Sequence, residues 1–138
     1  MKHINAYTDG SFSIANKRQG YAVIFTDDKN NIIATTAGYI DDPNHQGSTI
    51  AEIKAATEAV SYAMSRDYSH ITIHSDSEAV MNHHKKSKMS KHAHLLIHLE
   101  SLIKVKYIKI KSKASPNAKL VHNLAIDQTC LKIKKQRK

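Results

Sequence analysis

The chain has one cysteine, no tryptophan, only two phenylalanines and no internal repeat. Cys130 alone cannot close an intramolecular disulfide, and without a second thiol it cannot build a zinc knuckle. It is expected to be a small apolar residue, buried or half-buried. No run of about 18 apolar residues is present, as a membrane-spanning helix would require. The opening ten residues also lack the apolar stretch of a signal peptide. A soluble, cytoplasmic protein is expected. Low-complexity linkers are missing too, so 138 residues with 41% hydrophobic composition predict one domain, 1–138, around one core. Acidic residues are the scarcer charge, 12 against 21 Lys and Arg, which leaves a formal net charge of +9. That excess favours polyanionic partners through long-range attraction and counterion release, with nucleic acid foremost. A membrane surface is disfavoured, because it usually needs a basic amphipathic segment with bulky apolar anchors.

What is present first alternates with the two-residue period of strands. Over 3–8, Ile4, Ala6 and Thr8 fall on one side, with Asn5, Tyr7 and then Asp9 on the other; 21–25 and 32–39 are rich in β-branched and aromatic residues. Gly10 and the segment 14–20 separate the first two strands, and Asp27-Asp28-Lys29-Asn30-Asn31 reads as a hairpin turn, giving an antiparallel meander. Over 48–66 the period changes. Ile50, Ile53, Ala56, Val60 and Met64 recur at three and four, an apolar stripe on a helix that Ser48 or Thr49 can cap. A short strand, 71–74, runs into Ser75-Asp76-Ser77-Glu78, a strand end with a helix-capping signature. Helical stretches 78–84 and 92–103 flank the polar segment 85–91, and 107–113 alternates as a strand with Lys109, Lys111 and Lys113 on one face. Ser115-Pro116-Asn117 breaks it. A final helix, 119–134, carries Leu120, Leu124, Ile126 or Asp127, and Leu131, and 132–138 reads as a frayed basic tail. The order β-β-β-α-β-α-α-β-α predicts an α/β fold, a mixed five-stranded sheet of three antiparallel strands and then parallel additions, flanked by helices on both faces.

Phosphodiester hydrolysis needs an activated water, compensation of phosphate charge and help for the departing oxygen, which two magnesium ions about 3.5–4 Å apart supply. Magnesium takes hard oxygen ligands, so acids at the ends of elements are the candidates. Asp9 ends the first strand, Glu52 lies in the first turns of the long helix, Asp76 ends the fourth strand and Asp127 sits in the last helix. Each has a plainer reading alone: a turn at Asp9-Gly10, a cap at Asp76, a dipole-favoured acid at Glu52, a solvated helix residue at Asp127. Their order and the elements that carry them are more informative than any one of them.

Thr8-Asp9-Gly10-Ser11, Ala51-Glu52 in a helix after three strands, Ser75-Asp76-Ser77 after a strand, and Asn123-Leu124-Ala125-Ile126-Asp127 together resemble type I ribonuclease H over essentially the whole chain. The resemblance implies a ribonuclease H-like fold and a metal-dependent endonuclease. Such an enzyme hydrolyses the RNA strand of RNA–DNA hybrids to 5′-phosphate and 3′-hydroxyl products with two Mg²⁺ ions, or Mn²⁺, acting as a monomer. It further implies that Asp9 bridges both ions, Glu52 and Asp76 complete one shell, and Asp127 holds the other. Crowding of like charges should raise at least one carboxylate pKa.

The family's pattern is not fully kept. Its auxiliary histidine before the last helix falls on Asn117, while the nearest imidazole is His122; either the role is absent or His122 covers it. Substrate contacts resemble those of the family only in type: Gly10, Ser11, Asn16, Ser48, Thr49 and Ser77 offer hydroxyl, amide and backbone partners for ribose 2′-hydroxyl groups. Glu78 places a negative charge where the family has an amide, and Lys85, Lys86, Lys88 and Lys91 stand where it has a longer basic insertion. Ten histidines invite a metal reading, above all His94 and His98 at i, i+4 near His92. With no third acid or thiol assigned beside them, they read as a solvated helix face. Two functions stay open: a hybrid-cleaving nuclease, and a ribonuclease H-like nucleic-acid-binding module that keeps the acids but turns over little or not at all.

Overall fold

Alternation at the start of the chain becomes a sheet because the first two strands have apolar residues to bury on both sides, while the third, at the edge, is at most half-buried. In a computed structural model, which describes residues 2–41, 47–84 and 93–130, the strands are β1 (His3–Ser13), β2 (Arg18–Thr26), β3 (Ile32–Asp41), β4 (His70–Ser75) and β5 (Lys104–Lys109). The helices are α1 (Thr49–Ser65), α2 (Glu78–Met81), α3 (Ala93–Glu100) and α4 (Pro116–Gln128). The sheet runs β3-β2-β1-β4-β5. β1–β2 and β2–β3 are antiparallel, whereas β1–β4 and β4–β5 are parallel, so the mixed sheet agrees with the sequence pattern.

The two faces bury different partners. Ile4, Ala6, Val23, Phe25, Ile71 and Ile73 pack under α1 and α3 with Ile53, Ala56, Val60 and Leu96, forming the main core. On the other face Ala22, Ile24 and Tyr7 meet Val121, Leu124 and Ala125 of α4. Alternation along β1 therefore sends even positions toward α1 and odd positions toward α4. The inner face of α1 is alanine-rich, with Ala51, Ala55, Ala56, Ala59 and Ala63 all buried. Such short side chains let the helix lie close to the strands.

Several boundaries differ from the sequence reading, each for a local reason. β1 does not end at Thr8: Gly10 pairs with Tyr21 and the ladder continues to Ser13. Gly10 is needed for space and not for a turn, since its φ is not positive. β5 begins at Lys104, three residues before the reading of 107–113, because Val105 and Tyr107 reach the main core. Lys111 and Lys113 lie beyond its end, so the proposed basic face stops at Lys109. Pro116 does not break structure but starts α4: Ser115 caps it, its Oγ accepting from Ala118 N at 3.2 Å, and a proline at the first position loses no helical hydrogen bond. The buried face of α4 is Asn117, Ala118, Val121 and Ala125, while Leu120 and Ile126 are exposed, so the expected leucine stripe is displaced. The segment 85–91, His92, Leu131 and the tail 132–138 lie outside the described residues. Among the described residues no helix is long and apolar enough to cross a membrane.

β2 and α4 touch at backbone distance. A Cβ added at Gly20 would sit 2.1 Å from the carbonyl oxygen of Ala125 and 2.9 Å from Gln128 Cβ. Gly20→Ala is expected to lower unfolding free energy by about 3 kcal/mol, the upper part of the overpacking range, as read by urea denaturation. An unchanged midpoint would show that α4 is not held against this strand.

Candidate active site

Odd positions of β1 face α4, so Asp9 points toward that helix while Gly10 faces α1. Parallel pairing of β1 with β4, ending at Tyr7 opposite His74, brings the end of β4 level with Asp9. Asp76 follows at once, and the two acids line one cleft with Thr8, Lys113, Ala118 and Val121. Glu52 arrives from the opposite side. The first turn of α1 presses on Gly10, where an added Cβ would lie 2.7 Å from Glu52 Cγ and 2.8 Å from Glu52 N. Gln19 fixes that approach, its Oε1 accepting from Ala51 N at 2.8 Å. The helix start has no side-chain cap. Ser48, expected as one, instead donates from Oγ to Glu52 Oε1 at 2.7 Å and orients the carboxylate.

Asp9 is 8% exposed. Gly10 N–H donates to its Oδ1 at 2.9 Å, and His122 Nδ1 donates to its Oδ2 at 2.8 Å. Burial pushes its pKa up from 3.8; the bond from His122 opposes this, and the charge of Asp76 adds to the rise. The expected elevation is thus present, though loss of water is a larger cause than like-charge crowding. Thr8, which precedes Asp9 on β1, is buried, and its Oγ1 has no hydrogen-bond partner.

Asp127 is not brought to these acids. It is exposed on α4. Going from position 122 to 127 turns a helix about 140° past His122 and carries it about 7.5 Å along the axis. Ala125 already lies over Gly20, the partner of Ser11, so Asp127 falls beyond the level of Asp9. The α4 residue that faces Asp9 is His122, which the sequence offered only as an auxiliary. A signal for it existed: starting the helix at Pro116 sets Asn117, Ala118, Val121 and Ala125 inward and leaves His122 at the margin of that face.

The other expected contacts divide. Ser11 is half-buried on β1 and Thr49 is exposed at the start of α1, both beside the acids. Asn16 turns away, its Nδ2 donating to Thr129 O at 2.9 Å. Ser77 is buried and caps α2, its Oγ accepting from Val80 N at 3.2 Å. Asn117 is buried too and donates from Nδ2 to Asn30 Oδ1 at 2.7 Å, which commits it to the hairpin turn. Glu78 is matched by Lys109, whose Nζ donates to it. His94 and His98 are both exposed, in line with a solvated face.

Three hard carboxylates, one of them a buried acid of raised pKa, suit a divalent cation in chemistry. Among the described residues, the one group of three ligating side chains with atoms within 4.8 Å of one another is His83, His84 and Glu100. The acids are therefore spread more widely than a ready shell for one ion.

This strand order, with one helix pair on one face and α4 on the other, defines a ribonuclease H-like fold. The chain belongs to the reverse transcriptase-like family, whose model matches residues 7–125. That match takes in Asp9, Glu52, Asp76 and His122 and stops short of Asp127. Solved structures agree in shape at low identity. The N-terminal RNase H domain of a Mycobacterium tuberculosis protein, solved as a fusion with maltose-binding protein, has a TM-score of 0.79 at 14% identity, covering 99% of both chains. RNase H1 of Halobacterium salinarum gives 0.73 at 17%, covering 91% of this chain and 96% of that one. LC11-RNase H1, isolated from compost by a metagenomic approach and solved in complex with RNA/DNA hybrid, gives 0.74 at 17%, covering 94% and 99%. No curated protein matches the sequence.

A carboxyl whose folded pKa is raised favours folding below its unfolded value, and that contribution is lost as pH rises through the folded pKa. Asp9→Asn, in chelator, is therefore expected to melt at a higher temperature than wild type at neutral pH. The gap should close as pH falls below the ordinary value of 3.8. A lower melting temperature for the variant at neutral pH would show that the bond from His122 outweighs burial.

Proposed function

We propose that this chain is a divalent-metal-dependent endonuclease that hydrolyses the RNA strand of RNA–DNA hybrids, leaving 5′-phosphate and 3′-hydroxyl ends. The observation that carries this reading is the convergence of Asp9 and Asp76 in one cleft, with Glu52 held against Gly10 beside them. The hybrid bound by the similarly folded LC11-RNase H1 supports the choice of substrate. Two Mg²⁺ ions, or Mn²⁺, held by Asp9, Glu52 and Asp76 would supply an activated water and compensate charge on the scissile phosphate.

The chain's own residues account for the rest. Gly10 N–H and His122 hold the two oxygens of Asp9, and Ser48 holds one oxygen of Glu52, so both carboxylates are aimed before substrate arrives. Ser11 and Thr49 lie where hydroxyl groups can meet ribose 2′-hydroxyls in a minor groove. Lys113 in the cleft wall adds positive charge, while Lys109 offsets Glu78. With His122 in place of a fourth acid, the set carries one negative charge fewer. Imidazole is also a poorer partner for magnesium than a carboxylate. The site described by sequence as Asp9, Glu52, Asp76 and Asp127 becomes Asp9, Glu52, Asp76 and His122.

With a labelled hybrid and Mg²⁺ or Mn²⁺, wild type is expected to cut, and Asp9→Asn to lose more than about a hundredfold, the scale of removing a preorganised electrostatic group. Asp127→Asn should stay within about twofold, as for a solvated residue. His122→Asp should raise the ratio of Mg²⁺- to Mn²⁺-supported rate. The place of His122 also favours a second reading, a binding module with little turnover. That reading holds if wild type and Asp9→Asn both bind hybrid at low salt and neither cuts.

A further inference from the structure

A second cluster lies apart from the acids, at the C-terminal end of α2. His83 is 2% exposed and its ring nitrogens have fixed partners. Nδ1 faces the carbonyl oxygen of Val80, an acceptor only, so Nδ1 carries a hydrogen and donates it. Nε2 then faces Glu100 Oε2 at 2.9 Å. Two lone pairs cannot meet at that distance, so a proton, on the ring or on the carboxyl, or a cation has to stand between them. His84 brings a third ligand: its Nε2 lies 2.6 Å from Glu100 Oε1, and its ring centroid is 4.0 Å from that of His83. Tyr107 donates its hydroxyl to Glu100 Oε2 and fixes the carboxylate from behind.

We infer that His83, His84 and Glu100 form a binding site for a d-block divalent cation of the zinc type, separate from the candidate active site and independent of the proposed nuclease function. The ligand set is two imidazoles and one carboxylate, which suits zinc and excludes magnesium as the preferred ion. All three ligand atoms lie within 4.8 Å of one another. The outer partners are those that metal-bound histidines and carboxylates usually have, a backbone carbonyl on the far nitrogen of His83 and a hydroxyl on Glu100. Metal–ligand bonds of about 2.0–2.2 Å separate tetrahedral ligands by roughly 3.3–3.6 Å. The contact of His83 to Glu100 must then open by about half an ångström and that of His84 by nearly one, and the exposed side chain of His84, 59% accessible, is free to make the larger shift. Binding replaces the proton between His83 and Glu100 by the ion, so one proton or more leaves to solvent.

The placement gives the site a consequence. His84 directly precedes the segment that holds Lys85, Lys86, Lys88 and Lys91, and Glu100 lies on α3, which follows it. A cation held by all three side chains ties residues on the two sides of this basic stretch to one another.

The test uses untagged full-length protein carrying Asp9→Asn, Glu52→Gln and Asp76→Asn, so that no carboxylate of the active site is left to hold the ion. Titration with Zn²⁺ by calorimetry is expected to give one saturable equivalent with proton release and a raised melting temperature. Co²⁺ should give the visible absorption of a low-symmetry, four- or five-coordinate site. His84→Ala, a surface change that leaves the fold intact, should weaken Zn²⁺ at least about tenfold, and Glu100→Gln should do the same. His94→Ala/His98→Ala should bind as before. Absence of saturable binding, equal affinity in His84→Ala, or loss of binding in His94→Ala/His98→Ala would each overturn the assignment. None of these outcomes bears on hybrid cleavage.

Discussion

No room exists for a methyl group between strand β1 and the first turn of α1, and the acidic end of the molecule is built on that contact. Backbone at Gly10 touches backbone and Cγ of Glu52. A helix coming in at any greater distance would carry Glu52 away from Asp9. The buried alanines of α1 permit the same closeness along the rest of the helix, and Gln19 holds the N–H of Ala51 in place from β2. The glycine is thus conformationally ordinary, in extended backbone, and indispensable only for its size.

Once those elements are fixed, electrostatics at the cleft follow from geometry. Asp9, within β1, and Asp76, just past the end of the neighbouring β4, are held together by the β1–β4 ladder. Burial of Asp9 makes its charge costly, and hydrogen bonds from His122 and Gly10 N–H and a lysine at the cleft wall offset part of that cost. A concentrated negative site inside a positive molecule has the polarity that draws a polyanion to the surface and a small cation to the cleft.

Much of this was legible from residue order. Strand and helix types, their succession and the mixed sheet follow from alternation over 3–8 and the three-and-four spacing over 48–66, because apolar periodicity is a property of the buried face itself. Glu52 in the first turn of α1 and Asp76 just past β4 stand where residue order puts them, whereas Asp9 lies inside β1, which runs on to Ser13. Asp127 was not placed correctly, because Ser115-Pro116-Asn117 was read as a breaker when the proline was the first helical residue. By residue order Asn117 stands at the family's auxiliary position, and Ser77 is a polar group available to a substrate. Their hydrogen-bond partners, Asn30 and the N–H of Val80, become near only after folding. The cluster of His83, His84 and Glu100 was hidden for the same reason, since positions 84 and 100 share no period that a sequence window would register.

Helix α4 is tied at both ends by side-chain amides. Asn117 near its start bonds to Asn30 in the β2–β3 turn, and Thr129 just past its end accepts from Asn16 in the β1–β2 turn. Together these anchors act as stops against sliding and rolling, and His122 keeps its azimuth over β1 because of them. Loops at opposite ends of the sheet, neither of which touches the cleft, thereby share control of one imidazole. Drift in either hairpin during evolution would be felt as misalignment of that ring long before it was felt as loss of fold.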